Sequence, residues 1–221
     1  MDSVEEAEDY DSMDHGDVNR RFVDDYLAFT QNRFTEVNDN SLQVILDSGT
    51  GTAQIPILLS SRLAFRHTII ACDMSQEMLR VARRNINGAG CTQSVIPTLC
   101  NARQLPLPDQ SCDQLISNSI IHHIPRPVDA FVEVRRVAAP GAVVFYRDLL
   151  RPETSDEVDW LVTKWAGTAT VHQQQMFRQS LHAALTVSEI REILINTGLS
   201  ADWVQQTTDR HWTISGRLAA D

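Results

Sequence analysis

An α/β fold, a mostly parallel sheet with helices on both faces, is what this sequence predicts, on three observations. Short apolar runs alternate with amphipathic stretches from Leu42 to Asp148. The first run, in VILDSGTGTAQIPILL (Val44 to Leu59), breaks into a glycine turn before a second apolar stretch. After Leu150 the alternation gives way to helical stretches and then to a closing hairpin pattern.

Five strands are expected at Leu42–Leu46, Thr68–Cys72, Ser94–Cys100, Cys112–Ser117 and Ala142–Asp148. Each is a short apolar run bounded by polar or turn residues. Between the second and third lies SQEMLRVARRNI, where Met78, Leu79, Ala82 and Ile86 share one helical face and Arg80, Arg83 and Arg84 the other. Ser75 suits its N-cap, and Gly88 or Gly90 its end. A further helix should follow Pro127, with Phe131, Val134 and Ala138 inward and Gly141 after it. Residues 153–183 read as helical and carry the polar patch VHQQQMFRQS, and VSEIREILINT (187–197) forms another amphipathic helix ended by Gly198. ADWVQQTTDRHWTISGRL then alternates in strand fashion about Asp209–Arg210, a hairpin that would join the sheet edge antiparallel.

The 221 residues suffice for one full core, and 43% hydrophobic with 22% charged content is ordinary for a soluble globular domain. No stretch reaches 18 consecutive apolar residues, and the acidic start lacks an apolar signal core. Cys72, Cys91, Cys100 and Cys112 form no CxxC pair, so reduced thiols in a cytoplasm are expected, without a disulfide or zinc framework. Of the net charge of −10, residues 1–25 hold −8: ten acids against Arg20 and Arg21. The near-neutral remainder offers no phosphate-binding stripe, which argues against nucleic acid as a partner. The leader reads as a solvated tail. From Val18, however, VNRRFVDDYLAF places Val18, Phe22, Tyr26 and Phe29 at helical spacing, and such a helix would lie over a ligand cleft.

A strand that ends in a glycine turn and feeds a helix presents backbone N–H groups at the carboxyl end of the sheet, where open α/β folds bind ligands. Gly49 and Gly51 let the backbone bend and approach a ligand closely. Gln54 stands where the dinucleotide fingerprint G-x-G-x-x-G requires its third glycine. Asp47, at the end of a buried strand, suits a cationic or hydrogen-bond-donating ligand better than a pyrophosphate. Asp73 ends the next strand 26 residues later, where a carboxylate can accept both hydroxyls of a ribose. Met74 would lie against an adenine face, and Asn101 and Ala102, before a Leu-Pro-rich loop, would read its edge.

The series LDSGTGTAQIP, ACDMSQEML, NARQLPLPDQSCDQLISNSIIHH and RRVAAPGAVVFYRDL resembles the class I S-adenosylmethionine-dependent methyltransferases, their small-molecule branch above all, over residues 40–150. The resemblance implies a Rossmann-like, seven-stranded, mostly parallel sheet whose last strand is antiparallel. It implies S-adenosylmethionine as cofactor, S-adenosylhomocysteine as product and a small-molecule methyl acceptor. By resemblance Asp47, Ser48, Gly49, Thr50 and Gly51 form the glycine motif along the methionine moiety, with Ala53 in place of the usual third glycine. Asp73 and Met74 match the ribose and adenine positions, and Asn101 with Ala102 stands where the family often has Asp beside adenine. Ser117 and Asn118 match the end of the fourth strand, next to the methyl-bearing sulfur.

An acceptor oxygen or ammonium must lose a proton, which points to His122 and His123 after the fourth strand and to Tyr146 and Asp148 at the end of the fifth. Adjacent side chains point different ways, so one of the two histidines should face the cleft. No His/Cys spacing indicates a metal. Residues 1–40 are expected to form an acidic leader and lid helix, and residues 41–221 the methyltransferase domain with a helical insertion at about 153–183. The acceptor pocket would lie between Asn19–Phe29 and Trp160–His182, with Trp160 and Trp165 lining it and an acidic leader favouring a cationic amine. Two alternatives remain: a nicotinamide-dependent dehydrogenase, since Asp73 follows Gly51 by 22 residues, and a non-catalytic protein that keeps the fold.

Overall fold

The computed structural model describes residues 3–13, 15–30 and 41–220. Seven strands form one sheet in the order β3-β2-β1-β4-β5-β7-β6. β1 (Gln43–Ser48), β2 (His67–Asp73), β3 (Val95–Leu99), β4 (Cys112–Asn118) and β5 (Ala138–Leu149) run parallel, while β7 (His211–Arg217) pairs antiparallel with both β5 and β6 (Val204–Gln206). This is the expected seven-stranded α/β sheet. The closing hairpin lies where its alternation placed it, with Asp148 opposite Trp212 and Leu149 opposite His211.

Near-continuous burial along β1, β4 and β5 follows from having a helical layer on each face. One apolar layer joins Leu46, Leu115, Val144, Tyr146 and Trp212 to α5 (Pro127–Val137) and α8 (Val187–Asn196). The other joins Ile45, Ile69, Ile116 and Phe145 to α2 (Gly16–Thr30), α3 (Gln54–Ser60) and α4 (Gln76–Gly88). Residues 153–183 divide into α6 (Ser155–Ala166) and α7 (Val171–Ala183), each opened by a capping box, from Thr154 and Thr170.

Three expectations are corrected. Ala138 leaves α5 and pairs with Cys112 as the first residue of β5. Pro140 disfavours helical geometry at its predecessor and cannot continue an α-helical ladder, so the chain turns extended early and absorbs the extra residues as a register shift. Cys72 and Cys100 are bonded to each other, with Cα atoms 5.8 Å apart, because adjacent parallel strands bring their carboxyl ends together; Cys91 and Cys112 are free. The acidic leader holds a capped helix, α1 (Val4–Ser12), whose Ala7 and Tyr10 pack on Met78 and Val81 of α4. Glu8 pairs with Arg80 and Arg84, and Asp11 with Arg84, so the outward arginines of α4 are what hold the leader down. Residues 31–40 of the expected leader lie outside the described residues.

Candidate active site

Asp47, Asp73, Asn101, Asn118 and Asp148 all stand at or just beyond the carboxyl ends of β1 to β5, along one rim of the sheet. The glycine turn between β1 and α3 is folded back on β2: the N–H groups of Gly49 and Thr50 both donate to the Cys72 carbonyl, at 2.8 and 2.9 Å. Gly49 has φ +76°, and a Cβ there would meet Ile120 at 2.6 Å, so both backbone and packing require glycine. Ala53 adopts φ 63° although it carries a side chain, at the position where the family pattern has glycine.

Asp73 accepts from Gly51 N–H at 2.8 Å on one oxygen and from Ser75 N–H at 2.9 Å on the other. The carboxylate thereby fixes both the glycine turn and the start of α4, and each oxygen keeps a lone pair for a hydroxyl donor. Met74 beside it is exposed. Asn101 Oδ1 accepts from Arg103 N–H at 3.0 Å, which closes a tight turn around Ala102. That loop is clamped from α5. Glu133 accepts from Leu105 N–H at 2.7 Å, and Arg136 donates to the carbonyls of Leu105 and Leu107 and to Asp109.

Asp47 is buried, and burial raises its carboxyl to about 7; the Thr50 hydroxyl close by works against this, and the Asp73 charge adds to it. Among the described residues no cation or N–H hydrogen-bonds to it. The hydroxyls of Thr50 and Thr52 are buried too, that of Thr50 beside Asp47 and that of Thr52 beside Asp11. A buried carboxylate that no cation pairs with suits an ammonium. S-adenosylmethionine carries such an ammonium at its methionine end. α1 crosses this turn: the Tyr10 ring comes within 3.6 Å of where a Gly51 Cβ would stand. Its phenol is held above its usual range by burial and by the Asp73 and Asp47 charges.

Ser117 donates from its hydroxyl to the Ser48 carbonyl at 2.8 Å, and Tyr146 reaches Ser48 Oγ at 3.4 Å. These three brace β1, β4 and β5 from inside. Tyr146 is fully buried and its phenol is pushed far up by desolvation, which leaves it no role as a base near neutrality. Ser48, Ala102, Ile120 and Tyr146 share one hollow between the glycine turn and the adenine loop.

The two histidines separate as their adjacency requires. His122 Nδ1 lies 2.5 Å from Asp148 Oδ1, with both side chains buried, while His123 is exposed and its ring stacks on His122 at 4.0 Å. Asp148 also accepts from the N–H groups of Ile121, His122 and Leu149. So held, the carboxylate orients the imidazole with Nδ1–H inward and leaves Nε2 as the proton-accepting atom.

Trp160 and Trp165 are half-exposed on α6, with Lys164 Nζ 4.4 and 5.0 Å from their ring centres. Trp160 lines a cleft of about 730 Å³ between α6, α8 and the β6–β7 turn, whose lining includes Arg151, Arg191 and Asp209. His172 and His182 are exposed on α7. Glu8 and Asp11 of α1 pair with arginines of α4, so the expected bias toward a cationic acceptor finds no support in these two acids. Among the described residues no helix is long and apolar enough to cross a membrane, and no three His, Cys, Asp or Glu side chains converge on a metal position.

Sheet order and rim have the arrangement of the class I S-adenosylmethionine-dependent methyltransferase fold. Residues 46–146 match the family described as "Methyltransferase domain". It is 39% identical over 110 residues to a malonyl-[acyl-carrier protein] O-methyltransferase of Marinomonas sp., covering 50% of this chain and 39% of that protein. It is 26% identical over 170 residues to a demethylmenaquinone methyltransferase of Protochlamydia amoebophila, covering 70% of each. The chain thus spans about two fifths of the first of these relatives. A methyltransferase structure from Aquifex aeolicus superposes with TM-score 0.65 at 17% identity over 99% of this chain and all of that one. A Methanococcus maripaludis structure, described as a putative S-adenosyl-L-methionine-dependent methyltransferase, gives 0.66 at 15% over 99% and 94%. Both show the shared fold.

Proposed function

We propose that the chain transfers a methyl group from S-adenosylmethionine to a small-molecule acceptor, with His122 as general base and Asp148 as its positioning partner. The observation that carries this reading is the shared rim: the adenosyl-binding set on β1, β2 and β3 and the His122–Asp148 pair beyond β4 and β5 face the same end of the sheet. The cofactor supplies an electrophilic methyl on a sulfonium for in-line displacement. Asp47 offsets the ammonium, Asp73 orients the ribose, and α1 with Tyr10 covers the glycine turn against water. Asn118, at the end of β4, stands between these groups and His122. His122 Nε2 takes the proton that the acceptor releases, and Asp148 stabilises the imidazolium so formed.

The test is S-adenosylhomocysteine release over a panel of carboxylates, phenols, quinols and amines, read by mass spectrometry. Turnover of one class, lost in Asp73→Ala and strongly slowed in His122→Gln, is the expected result. Tight cofactor binding without turnover of any class would favour the non-catalytic alternative. The dehydrogenase alternative has no support in the sheet, whose last strand, β7, is antiparallel to both its neighbours.

A further inference from the structure

The rim beyond β5 carries a basic cluster that methyl transfer as described does not use. Arg147 is buried at the end of β5; it donates to Thr213 Oγ1 of β7 at 3.0 Å and pairs with Asp25 of α2 at 2.7 Å. Its guanidinium also lies 5.9 and 5.8 Å from the ring centres of Phe22 and Phe145. Next along β7 stands His211, buried and bonded to Thr208. Arg210 precedes it, its guanidinium stacked 3.6 Å from the Trp165 ring centre. Arg210 Nη1 is shut away from water with no hydrogen-bond partner.

The nearby carboxylates are already engaged. Asp25 holds Arg147, and Asp148 holds His122. Asp209 accepts from Lys164 Nζ at 2.8 Å and from Trp165 Nε1 at 3.2 Å. Arg21, exposed on α2, makes no ion pair among the described residues, and its charge reaches Arg210. Desolvation, followed by the charges of Arg210 and Arg147, drives His211 down to about 4, so it stays neutral and leaves the cations to act. A charged donor left unsatisfied costs more than a neutral one, and an oxyanion is the partner that removes the cost.

We propose, on top of the methyl-transfer reading above, that Arg210 with Arg21 binds an oxyanion of the methyl acceptor, a carboxylate or a phosphate, against the face of Trp165. Leu150 N–H donates to the Arg210 carbonyl at 2.8 Å, which puts Arg210 just beyond the end of β5, on the rim that carries Asp148 and His122.

The test uses the full chain and two probe ions, acetate and inorganic phosphate, each against sodium chloride at equal ionic strength. Tryptophan fluorescence, with a Trp165→Phe variant to isolate the contribution of Trp165 among the four tryptophans, is titrated in wild type, Arg210→Gln and Arg21→Gln, and S-adenosylhomocysteine binding is measured in the same samples. Wild type should respond saturably to at least one ion. Arg210→Gln should weaken that response by about tenfold or more, and Arg21→Gln by a few-fold, with S-adenosylhomocysteine binding retained. Saturation by phosphate alone points to a phosphorylated acceptor, and by acetate alone to a carboxylate. Arg21 sits on an exposed helix face, so its variant tests the cluster even if Arg210→Gln fails to fold. No saturable response in wild type, or equal affinity in all three proteins, overturns the inference. Loss of S-adenosylhomocysteine binding in wild type would instead strike the cofactor reading and leave the anion result standing.

Discussion

Asp47 should make cofactor affinity depend on pH. Its carboxyl is raised to about 7 by burial, so the free protein carries it largely protonated at pH 6 and largely ionised at pH 8. Only the ionised form offsets an ammonium. The ionised fraction rises from about 0.09 at pH 6 to about 0.9 at pH 8, which makes binding about tenfold tighter, worth about 1.4 kcal/mol. The same shift sets the stability of the free protein. The folded value lies above the ordinary 3.8, so this group's contribution is complete below about pH 3.8 and is lost as pH rises through about 7. At pH 8 the ionised, unpaired carboxylate costs about 4 kcal/mol at most. Asp47→Asn removes the titrating group in the same shape. It should raise the melting temperature at pH 8, bind S-adenosylhomocysteine more weakly there, and flatten the pH dependence of both. Isothermal titration and thermal melts at pH 6, 7 and 8 provide the readout. Equal affinity of the wild type across this range, with an unchanged melting temperature in the variant, would refute the reasoning.

Other substitutions follow from the same geometry. Gly49→Ala adds a Cβ 2.6 Å from Ile120 at φ +76°, and should cost about 2–3 kcal/mol in thermal unfolding as well as cofactor binding. Asp148→Asn leaves His122 without the carboxylate that sets its tautomer, and kcat should fall by about 10²-fold or more while the cofactor Kd stays within a few-fold. Gly216→Ala places a Cβ 1.9 Å from the Trp203 ring, which packs flat on the β7 backbone, and should lower the melting temperature by several degrees without touching the rim.

Strands and the glycine turn at the rim were legible because each rests on local pattern. An apolar run, a glycine turn and an acid at a strand end keep their meaning within about ten residues, and Asp47, Gly49, Gly51 and Asp73 all fall on the rim. Contacts between distant segments left no such trace. His122 and Asp148 are 26 residues apart and meet only because β4 and β5 are neighbours. The sequence offered both residues as candidates without revealing that they form a pair. Tyr146 shares a face of β5 with Asp148 but lies two residues further from the rim, buried in the apolar layer beneath Ser48. α1 looked like a solvated tail because its acids are neutralised by arginines of α4 more than 70 residues away. Arg210 gave no sign at all: a single arginine in a hairpin turn acquires meaning only when Trp165 stacks on it. Ser3 and Glu6, a capping box at the start of α1, were a local signal that was readable and not used, as were the capping boxes opened by Thr154, Thr170 and Thr186.

Calorimetric titration of S-adenosylhomocysteine into wild type and Asp73→Ala at pH 8 tests the central claim most directly. The account predicts micromolar binding with one site per chain in wild type and its collapse in the variant. Heat indistinguishable from dilution in the wild type, or equal affinity in both, would contradict it.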